Sequence, residues 1–211
     1  MTDPSIATAA DYADALIVAR RAKNWLFLIL LLVLLVHICL FFVARYTDFF
    51  TTAPTVTATT KPLSHRVSPI DGFHYLTGIT TFFGTILPIL LSSVLLIIVN
   101  IMLVGRLIGV ARVTSAYVWS ILLILLLFPW QAFLGKVPFY SEDFRIPGVL
   151  FTWDELAAEA HFTAQPFELA LMRWARFLVF PLLALILLML IQGKSNRGLR
   201  QALGESTAGV T

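Results

Sequence analysis

The sequence predicts an all-α integral membrane protein: a bundle of four transmembrane helices with two extracytoplasmic connections and short cytoplasmic termini. Three observations carry that reading. From Asn24 to Ala44 the chain runs twenty-one residues without Asp, Glu, Lys or Arg. At about 1.5 Å of rise per residue such a helix is roughly 30 Å long, the thickness of a bilayer's hydrocarbon core. Three further apolar runs follow it. The 211 residues are 59% hydrophobic and only 13% charged, with a mean hydropathy of +0.88. Soluble domains carry about 25% charged residues, so this composition does not suit a water-facing surface.

Residues 1–23 read as a cytosolic, mildly amphipathic lead-in helix. Asp3 is placed to cap it and Pro4 fits its first turn, while Asp11 and Asp14 precede Arg20, Arg21 and Lys23 in the order that suits the helix dipole. Ile6, Ala10, Ala13 and Ile17 fall on one face. The first span is 24–44. Its apolar run exceeds the ~7–15 residues of a signal peptide and no small-x-small site follows, so it is expected to stay as an uncleaved start-transfer helix.

Residues 45–83 form the first outer connection. TTAPTVTATT at 51–60, with Pro54, Pro62 and Pro69, favours extended backbone over helix. Phe73–Phe83 reads as an interfacial segment, weakened by threonines and by Gly78 and Gly84. The second span follows at 84–104, with Pro88 kinking it near its outer end. A short turn at 105–113 holds Arg106 and Arg112, and the third span is 114–134, ending around Pro129, Trp130 and Gln131.

The second outer connection covers 135–176. Within it Thr152 and Glu155 have the spacing of a capping box, predicting a short helix over about 153–162. An amphipathic lead-in, FELALMRWAR, then brings the chain to the fourth span at 177–193, which Pro181 should bend. Residues 194–211 are a cytosolic tail. No repeat of fixed period is visible.

Orientation rests on the basic residues beside the spans. With the N-terminus inside, the inner segments hold Arg20, Arg21, Lys23, Arg106, Arg112, Lys194, Arg197 and Arg200. The outer ones hold Arg45, Lys61, Arg66, Lys136, Arg145, Arg173 and Arg176 in loops about half again as long. The higher density inside favours both termini in the cytosol. Trp25 and Trp119 then lie near the inner interface, and Tyr46, Trp130 and Trp174 near the outer one. Compact loops with no N-x-Ser/Thr sequon after Asn24, Asn100 or Asn196 fit a bacterial inner membrane.

His37 is the ionisable residue set well inside a span, and such groups are costly enough in lipid to be functional candidates by default. Its ligand chemistry suits one axial bond to a haem iron or a chlorophyll-type pigment. The plainer expectation is a neutral imidazole hydrogen-bonded across a helix interface, with Ser92 or Ser93 at about the same depth. Asn100 completes the set of interhelical polar contacts. His65, His74 and His161, with Asp71 or Glu159, have metal-ligand chemistry but no compact ligand spacing. Cys39, the one cysteine, has no intrachain partner for a disulfide. Glu142–Asp143 and Asp154–Glu155 are adjacent carboxylates in loops rather than a facing pair. No nucleophile triad, phosphate loop, CxxC or HExxH is present, so an enzyme is not expected. No basic-aromatic face suggests nucleic acid.

The outer stretch PFYSEDFRIPGVLFTWDEL gathers Phe139, Tyr140, Phe144, Phe151 and Trp153 among charges, the composition of a contact surface. The expectation is therefore a non-catalytic accessory or structural subunit of a larger membrane complex, with the lipid bilayer and other membrane subunits as partners and no cofactor. A small oligomeric transporter or channel and a pigment- or cofactor-binding protein using His37 are the alternatives. The span count is similar to the tetraspanin and claudin plans, but the cysteine signatures of both are missing.

Overall fold

A computed structural model of the chain describes residues 9–46, 69–130, 148–153, 155–156 and 167–205. Among the described residues the regular structure is all helical, with no strand. In order they form α1 (Ala9–Tyr46), α2 (Pro69–Val104), α3 (Val110–Leu127) and α4 (Phe167–Trp174). A π-helical turn (Ala175–Val179) then leads without a break into α5 (Phe180–Ala202). Four stretches are long and apolar enough to cross a membrane, which fits a multi-pass membrane protein: Asp11–Tyr46, Gly72–Val104, Val110–Leu127 and Ala170–Ala202. The lead-in and the first span are one helix. The third helix ends at Leu127, before Pro129, whose ring disfavours helix in the residue ahead of it.

α2 begins at Pro69, inside the segment whose composition favours extended backbone. Pro suits a helix's first turn, and two threonines that weaken helix in water bond back to their own helix. Thr77 Oγ1 donates to Phe73 O and Thr80 Oγ1 to Leu76 O, both at 2.9 Å. Where water is scarce that arrangement satisfies the hydroxyls without breaking the backbone ladder. Pro88 lies within α2 and does not end it.

The turn after α2 is a Schellman closure. Leu107 N–H donates to Met102 O at 2.9 Å and Arg106 N–H to Leu103 O at 3.2 Å. Arg106 holds the left-handed position usually given to glycine, with φ 49°. α5 ends the same way: Glu205 N–H donates to Arg200 O and Gly204 N–H to Gln201 O, with Gly204 at φ 72°. That helix ends at Ala202, beyond Gly193, where the apolar fourth span ends.

Its irregular part is the turn before Pro181. Phe180 N–H donates to Ala175 O, an i to i−5 bond. Proline lacks a donor and its ring crowds the carbonyl four residues back, here that of Phe177, so a widened turn at that carbonyl is the local answer.

The contacts divide the chain into two compact units. The first takes α1 up to Leu32, α2 from Thr85, α3 and α5 from Leu183, with Leu30, Leu91, Leu95, Ile98, Met102, Leu123 and Leu188 fully buried or nearly so. The second takes α1 from Val33, α2 up to Gly84, and Phe128 to Leu182. Its core gathers Leu40, Phe41, Ala44, Phe151, Leu156 and Phe177, with Phe73, Trp153 and Trp174 packed on it.

Candidate functional site

Among the described residues polar side chains collect in two places, one in each unit. In the first unit, α1 and α5 face each other through matched i, i+3, i+4 sets: Arg20, Lys23 and Asn24 on one helix, Gln192, Ser195 and Asn196 on the other. Lys23 is fully buried. Its Nζ donates to Ser195 Oγ at 2.8 Å and to Asn196 Oδ1. Gln192 Nε2 donates to Asn24 Oδ1 at 3.0 Å, and Arg20 pairs with Glu205 at 2.9 Å. A buried ammonium is tolerated only when its protons find acceptors, so these bonds fix α1 against α5 in one register.

α3 joins the same unit by two further ties. Lys194 Nζ donates to Ser115 Oγ at 2.9 Å and stands 5.3 Å from the centre of the Trp119 ring. Ser120 Oγ donates to Ser92 Oγ at 3.1 Å, a buried bond between α3 and α2. Gly198 lets α5 approach the start of α3: a Cβ there would lie 2.6 Å from Val113 Cγ2 and 3.0 Å from Gly109 O. Gly109 itself has φ 96°, a conformation that favours glycine.

In the second unit the segment Gly148–Phe151 is buried against the helices. Thr81 Oγ1 donates to Phe151 O at 3.0 Å, and Gly84 leaves room for Leu150. Phe151 meets the Phe177 ring edge-on at 5.3 Å, and Phe177 stacks on Phe41 at 5.2 Å, 5° from parallel. The capping box is formed: Thr152 N–H donates to Glu155 Oε2 at 3.2 Å and Glu155 N–H to Thr152 Oγ1 at 3.4 Å. The same Glu155 oxygen receives Arg176 Nη2 at 2.9 Å, and the Arg176 side chain is only 9% exposed.

His37 belongs to this second cluster. It is fully buried, its ring centre 4.4 Å from that of Phe151, and neither ring nitrogen has a hydrogen-bond partner among the described residues. Of the other sites read from the sequence, Ser92 is engaged by Ser120. Ser93 donates to Ile89 O within its own helix, and Asn100 is exposed. Phe151 is 1% exposed, so its ring offers no surface to a partner. Trp153 stacks on Phe73 at 6.2 Å. Phe139, Tyr140 and Phe144 lie outside the described residues, as do His65 and His161. Among the described residues no three His, Cys, Asp or Glu side chains gather as a metal-binding group.

Two polar pairings escape sequence reading. Lys23 reads as an ordinary basic flank of a span, and only the i, i+3, i+4 match between 20–24 and 192–196 hints at its burial. The Glu155–Arg176 pair spans 21 residues and leaves no local signature. Comparison with protein-family models, with curated proteins and with solved structures finds no match to this chain.

Proposed function

We propose that the protein is a non-catalytic accessory subunit of a larger integral membrane complex. In this reading both termini are cytosolic, the membrane is a bacterial inner one, and contact is made through helix packing and the outer segments. The observation that supports it most is the length and dress of α2. Its apolar stretch Gly72–Val104 has 33 residues, which at about 1.5 Å each is roughly 50 Å. A tilt of about 20–40° fits only some 21–26 of these into a hydrocarbon core of about 30 Å. At the smaller tilt the excess is about twelve residues, Gly72–Phe83 when the span ends at Val104, and it carries an exposed stripe at helical spacing. Tyr75 is 67% exposed, Ile79 53%, Phe82 60% and Phe83 44%. Rings and branched chains left beyond the lipid in one stripe suit the side of a neighbouring subunit. Within the same unit Thr81 Oγ1 donates to Phe151 O at 3.0 Å, which ties down the part of α2 that carries the stripe.

Extraction in mild detergent, followed by native electrophoresis and mass spectrometry, tests this. The wild-type chain should migrate in a larger assembly, and Ile79→Ser with Phe82→Ser should release it as a folded monomer. A wild-type chain that runs alone would refute the subunit reading. One observation favours a second reading, a pigment- or cofactor-binding protein: the unpartnered nitrogens of His37. A visible absorption band that co-purifies with the wild type and disappears in His37→Ala would establish it.

A further inference from the structure

Beside the polar ties of the first unit lies a surface that the subunit reading does not use. Leu185, Ile186, Met189, Leu190 and Gly193 of α5 line an open apolar cavity of about 520 Å³ that ends at Lys194 and Arg197. A second cavity of about 320 Å³ is lined by those same two basic residues together with Ala111, Arg112 and Ser115 of α3. The two share Lys194 and Arg197; the rest of the first lining is apolar, and the second adds a third basic residue, Arg112. Among the described residues neither lining contains an acidic one. Arg112 and Arg197 are exposed, and Lys194 is steadied by Ser115 and Trp119. The space beside Gly193 is open, since a Cβ there would meet nothing within 4 Å.

We propose that this face of α3 and α5 binds an anionic glycerophospholipid. Arg112, Lys194 and Arg197 hold its phosphate, and one acyl chain lies along Leu185, Ile186, Met189 and Leu190 over Gly193. The depth is right for a headgroup: Lys194 and Arg197 directly follow the charge-free run Phe177–Gly193, and Arg112 stands at the start of the third span. The chemistry is right as well. Guanidinium and ammonium groups donate to phosphate oxygens, and basic pockets between transmembrane helices recognise anionic headgroups. A free phosphate would leave the larger, apolar part of the site unused, which is why the occupant is a lipid.

Binding is measured by native mass spectrometry on protein delipidated in neutral detergent, with phosphatidylglycerol and phosphatidylcholine of identical acyl chains. One basic residue near the surface is worth about fivefold, so three should give a preference for phosphatidylglycerol on the order of a hundredfold. Arg112→Gln with Arg197→Gln should cut it to about fivefold, while Arg21→Gln, on the exposed side of α1, should leave it largely unchanged. Gly193→Trp should weaken phosphatidylglycerol binding by roughly tenfold or more at unchanged helix content, because the indole fills the acyl path. Inorganic phosphate should fail to displace the lipid. Equal binding of the two lipids, full preference in the double variant, unaltered binding in Gly193→Trp, or displacement by phosphate would each overturn the proposal.

Discussion

Replacing Gly198 by alanine should destabilise the protein, while the same replacement five residues earlier, at Gly193, should stabilise it. Both glycines lie within α5, where alanine is favoured over glycine by about 1 kcal/mol through backbone entropy alone. At Gly193 nothing stands within 4 Å of the new methyl, so the helix term acts unopposed. At Gly198 the methyl would lie 2.6 Å from Val113 Cγ2, 3.0 Å from Gly109 O and 3.3 Å from Val113 N. Ordinary carbon contacts are about 3.5–4.0 Å, so α3 must withdraw by roughly an ångström. Two of the three opposing atoms are backbone, and Val113 is a fully buried β-branched residue with little rotamer freedom.

Overpacking of this kind costs about 1–3 kcal/mol. Taking the upper end and subtracting the helix term leaves a net loss of about 2 kcal/mol. The two variants should then differ by about 3 kcal/mol, or roughly 6–12 °C in Tm for a chain of this size. The assay is thermal unfolding in detergent followed by circular dichroism. Val113→Ala in the Gly198→Ala background should recover about 1 kcal/mol relative to additivity. If the two glycine variants shift Tm in the same direction by similar amounts, the close approach of α5 to α3 is refuted.

Other substitutions test the remaining parts of the site. Arg106→Gly should raise stability by about 1 kcal/mol, because φ 49° is strained for arginine and free for glycine; a loss on denaturant titration would mean that the arginine side chain outweighs its backbone strain. Thr152→Ala should cost about 1 kcal/mol, the usual worth of a cap. Glu155→Ala removes both the return bond of the capping box and the Arg176 ion pair, so it should cost about 2–3 kcal/mol; equal losses in the two variants would show that the ion pair contributes nothing. His37→Phe should be neutral or stabilising by up to about 1 kcal/mol, since it replaces unpaired ring nitrogens beside Phe151 with carbon, and a clear loss of Tm in detergent would reveal a partner for the imidazole.

The spans were legible because crossing a bilayer is a local property: a run of about twenty apolar residues needs no partner to be recognised. The Thr152–Glu155 box was legible for the same reason, being complete within four residues. Helix extent was less so. α2 begins well ahead of its second span because its threonine hydroxyls bond back to Phe73 and Leu76 carbonyls, which water-based propensities count against helix. α5 continues past Gly193 because its polar face has α1 and α3 to meet, a reason invisible in a hydropathy profile.

By itself, the amino-acid sequence determined that the chain is all-helical with four apolar stretches long enough to span a membrane, since backbone polar groups in lipid must be satisfied within each segment. Tertiary structure alone decided which polar groups meet. It buried Lys23 between Ser195 and Asn196, paired Ser92 with Ser120, folded Phe151 onto His37, and set Glu155 on Arg176. Such pairings depend on the relative rotation and register of helices far apart in sequence, and a turn of less than one residue exchanges a partner for lipid. For that reason the membrane-spanning plan is written in the composition of each run, and the candidate sites are written only in how the runs pack.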